Sequence, residues 1–137
     1  MYETNKKASA MPITAIYAAL LAILGVGLSV YVSVNRGKHA VALGDGGNAQ
    51  MQLIIRRHAN FTESVPLALI VLGLAEAGGL SALWLHGVGG LLLASRLIHP
   101  FGLSFTNPTS LPRVAGAVGT SVATGIAAGA ILLQTLT

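Results

Sequence analysis

The sequence predicts an all-α membrane protein, a single domain folded as a bundle of four transmembrane helices. Of its 137 residues, 53% are hydrophobic and only 9% are charged, whereas soluble domains carry about 25% charged residues. Four long apolar stretches rich in Gly and Ala run through the chain without the alternation typical of membrane strands. A chain with so few charged residues cannot form the polar surface that a water-soluble domain needs, so a lipid environment is indicated.

The four helices are predicted at residues 11–35, 50–79, 81–99 and 112–136. The first and last apolar stretches exceed the roughly 20 residues that a spanning helix needs, and the middle two reach that length only by including polar residues. The first stretch is longer than a signal h-region and lacks a small-residue cleavage site after it, so we expect it to be retained. A loop is predicted at "GDGGN" (44–48) and another, rich in proline, at 99–113.

The basic residues predict the orientation of the bundle in the membrane. Six of the eight Lys and Arg residues flank the first and third connections, namely Arg36, Lys38, Arg56, Arg57, Arg96 and Arg113. Positive charges are retained in the cytoplasm, so both basic loops are expected there, with both termini outside.

Several kinds of site are excluded or disfavoured by composition. The chain has no cysteine, which excludes disulfides, thiolate metal sites and a protein thiol nucleophile. Its four histidines lack the spacing of a metal site, and no basic-aromatic pattern suggests nucleic acid. His86, in the middle of the third helix, is expected to hydrogen-bond within the bundle.

A polar stripe opens the second helix in "RRHANFTESVP" (56–66). Arg56, Asn60 and Glu63 lie within about 60° of one another on a helical wheel, so they share one narrow face. Ionisable groups at membrane depth usually face the bundle interior with a partner. Two interpretations follow: a structural Arg56–Glu63 ion pair, or a grip for a ligand.

Further basic residues are expected at the same membrane face. Arg36 ends the first helix, Arg96 and His99 end the third, and Arg113 opens the fourth. Such a cluster favours an anion with several carboxylates, because arginine binds carboxylate bidentately. Glu63 would hold an ammonium group or an N–H of the same ligand, which is therefore zwitterionic, peptide-like and net negative.

The pattern Arg56-x-His58-x-Asn60-x-x-Glu63-x-x-Pro66 resembles the membrane-associated proteins in eicosanoid and glutathione metabolism (MAPEG), which include microsomal glutathione transferases. The resemblance extends over nearly the whole chain, through "RLIH" (96–99) at the end of the third helix and an arginine at the start of the fourth. It implies a homotrimer in a bacterial inner membrane, with glutathione as co-substrate bound between subunits near the cytoplasmic face.

The resemblance also implies roles for single residues. Arg113 would face the glutathione sulfur and stabilise its thiolate, for conjugation to an apolar electrophile from the bilayer or for reduction of lipid hydroperoxides. The implied glutathione contacts are Arg36, Arg56, His58, Asn60, Glu63, Arg96 and His99.

Two alternatives remain beside the transferase. Several family members carry tyrosines where this chain has Ser64 and Leu103, which favours a non-catalytic accessory subunit of a larger membrane assembly with a vestigial site. A small transport or channel component is the other alternative, although the sequence places no ion path at the membrane midplane.

Overall fold

The computed structural model describes residues 11–107 and 109–136. Within them the chain forms four α-helices, α1 (Pro12–His39), α2 (Ala49–Ala77), α3 (Ala82–Gly102) and α4 (Leu111–Leu136). The prediction of an all-helical chain with four helices is confirmed.

The four helices differ in their capacity to cross a membrane. By length and composition, α1, α2 and α4 are long and apolar enough to do so. The shorter α3 has 21 residues and includes His86, Arg96 and His99, which lower its apolar content. It packs against all three other helices, so protein covers much of a helix that is poorly suited to lipid.

Two helices extend further than predicted, α1 by four residues to His39 and α3 by three residues to Gly102. Pro100 suggested an end at residue 99, because proline in a helix interior removes a hydrogen bond and crowds the preceding turn. The helix instead continues to Gly102, where the backbone lies directly against that of Arg113 and the Ser110 hydroxyl donates to the Gly102 carbonyl. These contacts with the start of α4 hold the last turn, and the connection is confined to residues 103–110.

The connection between α1 and α2 is a loop, as predicted. Ala40 ends α1 in the left-handed conformation, with φ 53°, and its N–H donates to the carbonyls of Arg36 and Gly37. The Asp45 carboxylate accepts from the Gly47 N–H at 2.9 Å, and the Asn48 side chain accepts from the Met51 N–H at 3.0 Å. Asn48 is thus the N-cap that starts α2.

The core lies among all four helices, and α3 and α4 form its most extensive contact. Leu21, Phe61, Leu72, Leu85 and Leu92 are among its buried side chains. Many large apolar residues on the outside of the bundle are exposed, most of them on the helices. Such a surface is suited to lipid or to other subunits, which agrees with a membrane protein.

The end of the bundle opposite the basic loops is fixed by two polar contacts. The Glu76 carboxylate, near the end of α2, accepts from the N–H groups of Ile13 at 2.9 Å and Thr14 at 2.7 Å in the first turn of α1. The Tyr17 hydroxyl lies 3.1 Å from Nδ1 of His86. The expected hydrogen bonding of His86 within the bundle is confirmed.

Candidate functional site

The antiparallel order of the helices brings the basic residues to one end of the bundle. The last turns of α1 and α3 and the first turns of α2 and α4 lie there. The expected convergence of basic helix ends on one face is therefore confirmed, and a possible site is restricted to this end.

A cavity of about 310 Å³ opens at this basic end, and we call it the basic cavity. Four residues singled out in the sequence line it, namely Arg56 and Asn60 of α2, His99 of α3 and Arg113 of α4. Its volume is at the small end of the range of about 300–1,000 Å³ for ligand pockets. Three helices thus contribute two guanidinium groups, an amide and an imidazole to one space.

Arg56 and Glu63 form an ion pair along the exposed face of α2. Nη1 of Arg56 lies 3.3 Å from Oε1 of Glu63, and the two side chains are 53% and 56% exposed. Exposed pairs of this kind contribute only about 0–1 kcal/mol. The pair is weak enough for a charged ligand to compete with it.

Arg96 is deeply buried and is engaged by its own chain. Its side chain is 2% exposed, Nη1 donates to Oδ1 of Asn60 at 3.1 Å, and Nη2 donates to the Gly116 carbonyl at 2.8 Å. This bond fixes which way the Asn60 amide points, leaving the amide nitrogen as a donor and one lone pair of Oδ1 as an acceptor for a ligand. Arg96 is not among the described residues that line the basic cavity, so it acts there by orienting Asn60.

A close approach between α3 and α4 brings the two sides of the cavity together. A Cβ atom on Gly116 would lie 2.6 Å from the His99 Cβ and 2.8 Å from the Ser95 carbonyl oxygen, so only glycine allows this contact. Arg113 lies one turn before Gly116 on α4, and His99 of α3 faces Gly116. The cavity therefore depends on the absence of a side chain at residue 116.

Three predicted contacts lie elsewhere in the described chain. Arg36, His58 and Glu63 are not among the described residues that line the basic cavity. Nη1 of Arg36 donates to carbonyls of the α1–α2 loop, at 2.9 Å to Gly44. His58 is two residues from Arg56 on α2 and thus on a different face.

The cavity also includes residues that sequence reasoning missed. Gln52 of α2 lines it, with Ser104 and Phe105 from the connection after α3; Leu103, which the family resemblance had already singled out, lines it beside them. Gln52 precedes Arg56 by one helical turn, so the same periodicity that groups Arg56 with Asn60 could have identified it. The connection residues carry no such periodic signal.

A second cavity, of about 510 Å³, lies between α2 and α4. Asn60 and Arg96 line it together with small or hydroxyl-bearing residues of α4 such as Thr120, Ser121 and Gly125. Asn60 borders both cavities, so the two spaces meet at this one side chain.

The chain is similar to a known protein family and to a known inner membrane protein. The model of a family described as "MAPEG family" matches residues 14–133. The inner membrane protein YecN of Escherichia coli strain K12 is 38% identical over 90 residues, which cover 66% of this chain and 69% of that protein. The protein of the same name from Escherichia coli O6:H1 matches to the same extent.

Proposed function

Because the chain belongs to the MAPEG family, we propose that it is a membrane-bound glutathione transferase. The observation that carries the proposal is the convergence of Arg56, Asn60, His99 and Arg113 on the basic cavity. Glutathione has two carboxylates, one ammonium group and two amides, and this set of side chains complements it. A related activity of the same site is the reduction of lipid hydroperoxides, in which two glutathione molecules supply the electrons and leave as the disulfide.

The side chains of the proposed site bind different groups of glutathione according to their charge. Arg56 donates to a glutathione carboxylate, for which a guanidinium fork is well suited. Glu63 leaves its weak pairing with Arg56 and accepts from the ligand ammonium group. The Asn60 amide nitrogen, oriented by Arg96, donates to a peptide carbonyl, and His99 contributes a further polar contact from α3.

The proposed assembly is a homotrimer in which a neighbouring copy completes the site. This is supported by the half-exposed state of Arg56 and Glu63 and by the small residues of α4 beside the second cavity, since small residues allow close helix contact in membranes. A copy placed there would cover the open side of the basic cavity. Arg36 and His58 would contact glutathione only through such an arrangement.

Arg113 supplies the chemistry in this proposal. A cation beside the glutathione sulfur favours thiolate over thiol, and lowering the thiol pKa by about 2 takes roughly 2.7 kcal/mol. The thiolate attacks an electrophilic carbon of an apolar substrate from the bilayer. A sulfur–carbon bond forms, and the leaving group departs with its electron pair.

Thiolate absorbance in the ultraviolet, measured across pH with purified protein and glutathione, tests the proposal. We expect the wild type to produce thiolate below the pH at which free glutathione ionises. Arg113→Ala should shift both thiolate formation and turnover of an aryl halide to higher pH, and Arg113→Lys should restore part of the shift. Glutathione with serine in place of cysteine is the control, because it occupies the site without a titrating sulfur.

A second candidate function is that of a non-catalytic subunit that retains a glutathione-type site. Leu103 favours it, because this apolar side chain lines the basic cavity at a place where several relatives carry a tyrosine. Glutathione binding without thiolate formation at any pH would favour this candidate. Absence of binding would contradict both.

The proposed orientation places the basic end in the cytoplasm. The cysteine-free chain allows a direct test with single cysteines at Leu43, which is 88% exposed in the α1–α2 loop, and at Ser81, exposed before α3. An impermeant thiol reagent should label Leu43→Cys in inside-out membrane vesicles and Ser81→Cys in right-side-out vesicles. The reverse pattern, or labelling of both variants in the same preparation, would contradict the orientation.

A further inference from the structure

An apolar groove of about 300 Å³ lies between α1 and α3 near the basic end, apart from the basic cavity. Leu24, Leu28 and Tyr31 line it from α1, and Pro100 and Phe101 line it from α3. Phe101 is 84% exposed, so the groove is open along the outside of the bundle. In a membrane this surface meets acyl chains.

One charged residue, Arg57 of α2, lines this apolar groove among the described residues. Its Nη2 donates to the Leu103 carbonyl at 3.3 Å, and its Nε is buried with no hydrogen-bond partner among the described residues. Within residues 11–107 and 109–136, no carboxylate lies within ion-pair distance of it, since the pair found there joins Arg56 to Glu63. A guanidinium in apolar surroundings is costly without an anion.

A second cation follows the groove along α1. Lys38 lies seven residues after Tyr31, which places it on the same face of the helix about 10 Å further along its axis. Lys38 is exposed in the last turn of α1. The apolar groove thus runs toward a basic end, as expected for a molecule with an apolar chain and a negative head.

We propose that the groove formed by Leu24, Leu28, Tyr31, Arg57, Pro100 and Phe101 binds an anionic phospholipid. One acyl chain lies against the leucines and the aromatic rings, and the phosphate head accepts from the Arg57 guanidinium with Lys38 nearby. Basic pockets between membrane helices bind anionic head groups by this chemistry. The lipid supplies the counterion that the described chain does not provide for Arg57.

Native mass spectrometry of the purified protein tests the proposal directly. The protein is incubated with equal amounts of phosphatidylglycerol and phosphatidylcholine of the same acyl composition, and the retained lipids are counted. The wild type should retain phosphatidylglycerol at least about tenfold over phosphatidylcholine. Arg57→Gln should abolish this preference, Arg57→Lys should keep most of it, and Leu28→Trp, which fills the groove, should reduce retention of both lipids.

Arg56→Gln is the matched control, because the neighbouring arginine does not line the groove and should leave the lipid preference unchanged. Equal retention of phosphatidylglycerol by wild type and Arg57→Gln, both eluting as folded protein, would overturn the proposal. Retention of a neutral diacylglycerol equal to that of phosphatidylglycerol would also overturn it. So would binding of glycerol phosphate, which has no acyl chain, with the same affinity as phosphatidylglycerol. So would efficient disulfide crosslinking of Phe101→Cys between copies, because the groove would then be a protein interface.

Discussion

Arg56 and Arg96 are the same residue type at one end of one bundle, and they differ in almost every physical respect. Arg96 is 2% exposed and donates to two groups of its own chain, on α2 and on α4. Arg56 is about half exposed and has one weak partner on its own helix. A cluster of arginines can therefore contain a buried structural contact and a side chain exposed enough to bind a ligand, and burial distinguishes the two.

The largest expected effect comes from removing the buried arginine. Arg96→Met should lower the free energy of unfolding by roughly 3–6 kcal/mol, because two hydrogen bonds from a charged donor, at about 1.5–3 kcal/mol each, are lost together. Thermal unfolding in detergent, followed by circular dichroism, measures the effect. Arg56→Met is the matched control and should unfold close to the wild type; similar losses in the two variants would show that burial does not separate their roles.

Ligand binding should show the reverse order of sensitivity. Arg56→Met should weaken glutathione binding by roughly 2–5 kcal/mol, because it removes a charged hydrogen bond to a ligand carboxylate that becomes buried in the proposed complex. Calorimetry on detergent-solubilised protein measures it, with Lys38→Met as the control, since this exposed cation of α1 does not line the basic cavity. Unchanged affinity in Arg56→Met would mean that the Arg56–Glu63 pair is structural.

The close packing of α3 against α4 around Arg96 can be tested by adding one methyl group. Gly116→Ala should cost about 1–3 kcal/mol through overpacking, because the new Cβ would meet the backbone of Ser95 and the Cβ of His99. Gly87→Ala on α3 is the matched control, since a Cβ built there would meet nothing within 4 Å beyond its own helix backbone among the described residues. Equal melting temperatures for the two alanine variants would contradict the close approach of α3 and α4.

The smallest effect is expected from the exposed pair itself. Glu63→Gln should change the free energy of unfolding by less than about 1 kcal/mol, as for other exposed ion pairs, while weakening glutathione binding through loss of the ammonium contact. Chemical denaturation and calorimetry on the same preparation separate the two effects. A large loss of stability would place Glu63 with Arg96 as a structural group.

Much of the fold and part of the site could be predicted from sequence, because both depend on helical periodicity. The long apolar stretches predict the helices, and a spacing of four residues places Arg56 and Asn60 on one face, where the structure has them. Periodicity says nothing about depth, so Arg96 could not be distinguished from a surface contact. Its burial depends on where α4 lies, and the close approach of α4 to α3 includes contacts at Gly102, Gly116 and Gly119.

Other features depend on contacts between segments that are distant in sequence. The last turn of α3 continues beyond Pro100 because it packs against the start of α4, a contact that no local rule predicts. The sequence does indicate a separate environment for Arg57. Adjacent helical residues point about 100° apart, so Arg56 and Arg57 are expected to line different surfaces of α2. Gly116 and Gly125 look equivalent in the sequence, yet within the described chain an added Cβ would meet α3 at Gly116 and no other helix at Gly125.

The left-handed conformation of Ala40 has a practical consequence for studying all of these variants. Alanine in this conformation costs about 1–2 kcal/mol relative to the right-handed form, and glycine is the usual residue at such a helix end. Ala40→Gly should therefore relieve the strain at the end of α1 while leaving the residues of the basic cavity unchanged. Relief of this strain should raise the free energy of unfolding, less the part offset by the greater freedom of glycine in the unfolded chain, and a more stable background would allow more of the destabilised variants to be purified.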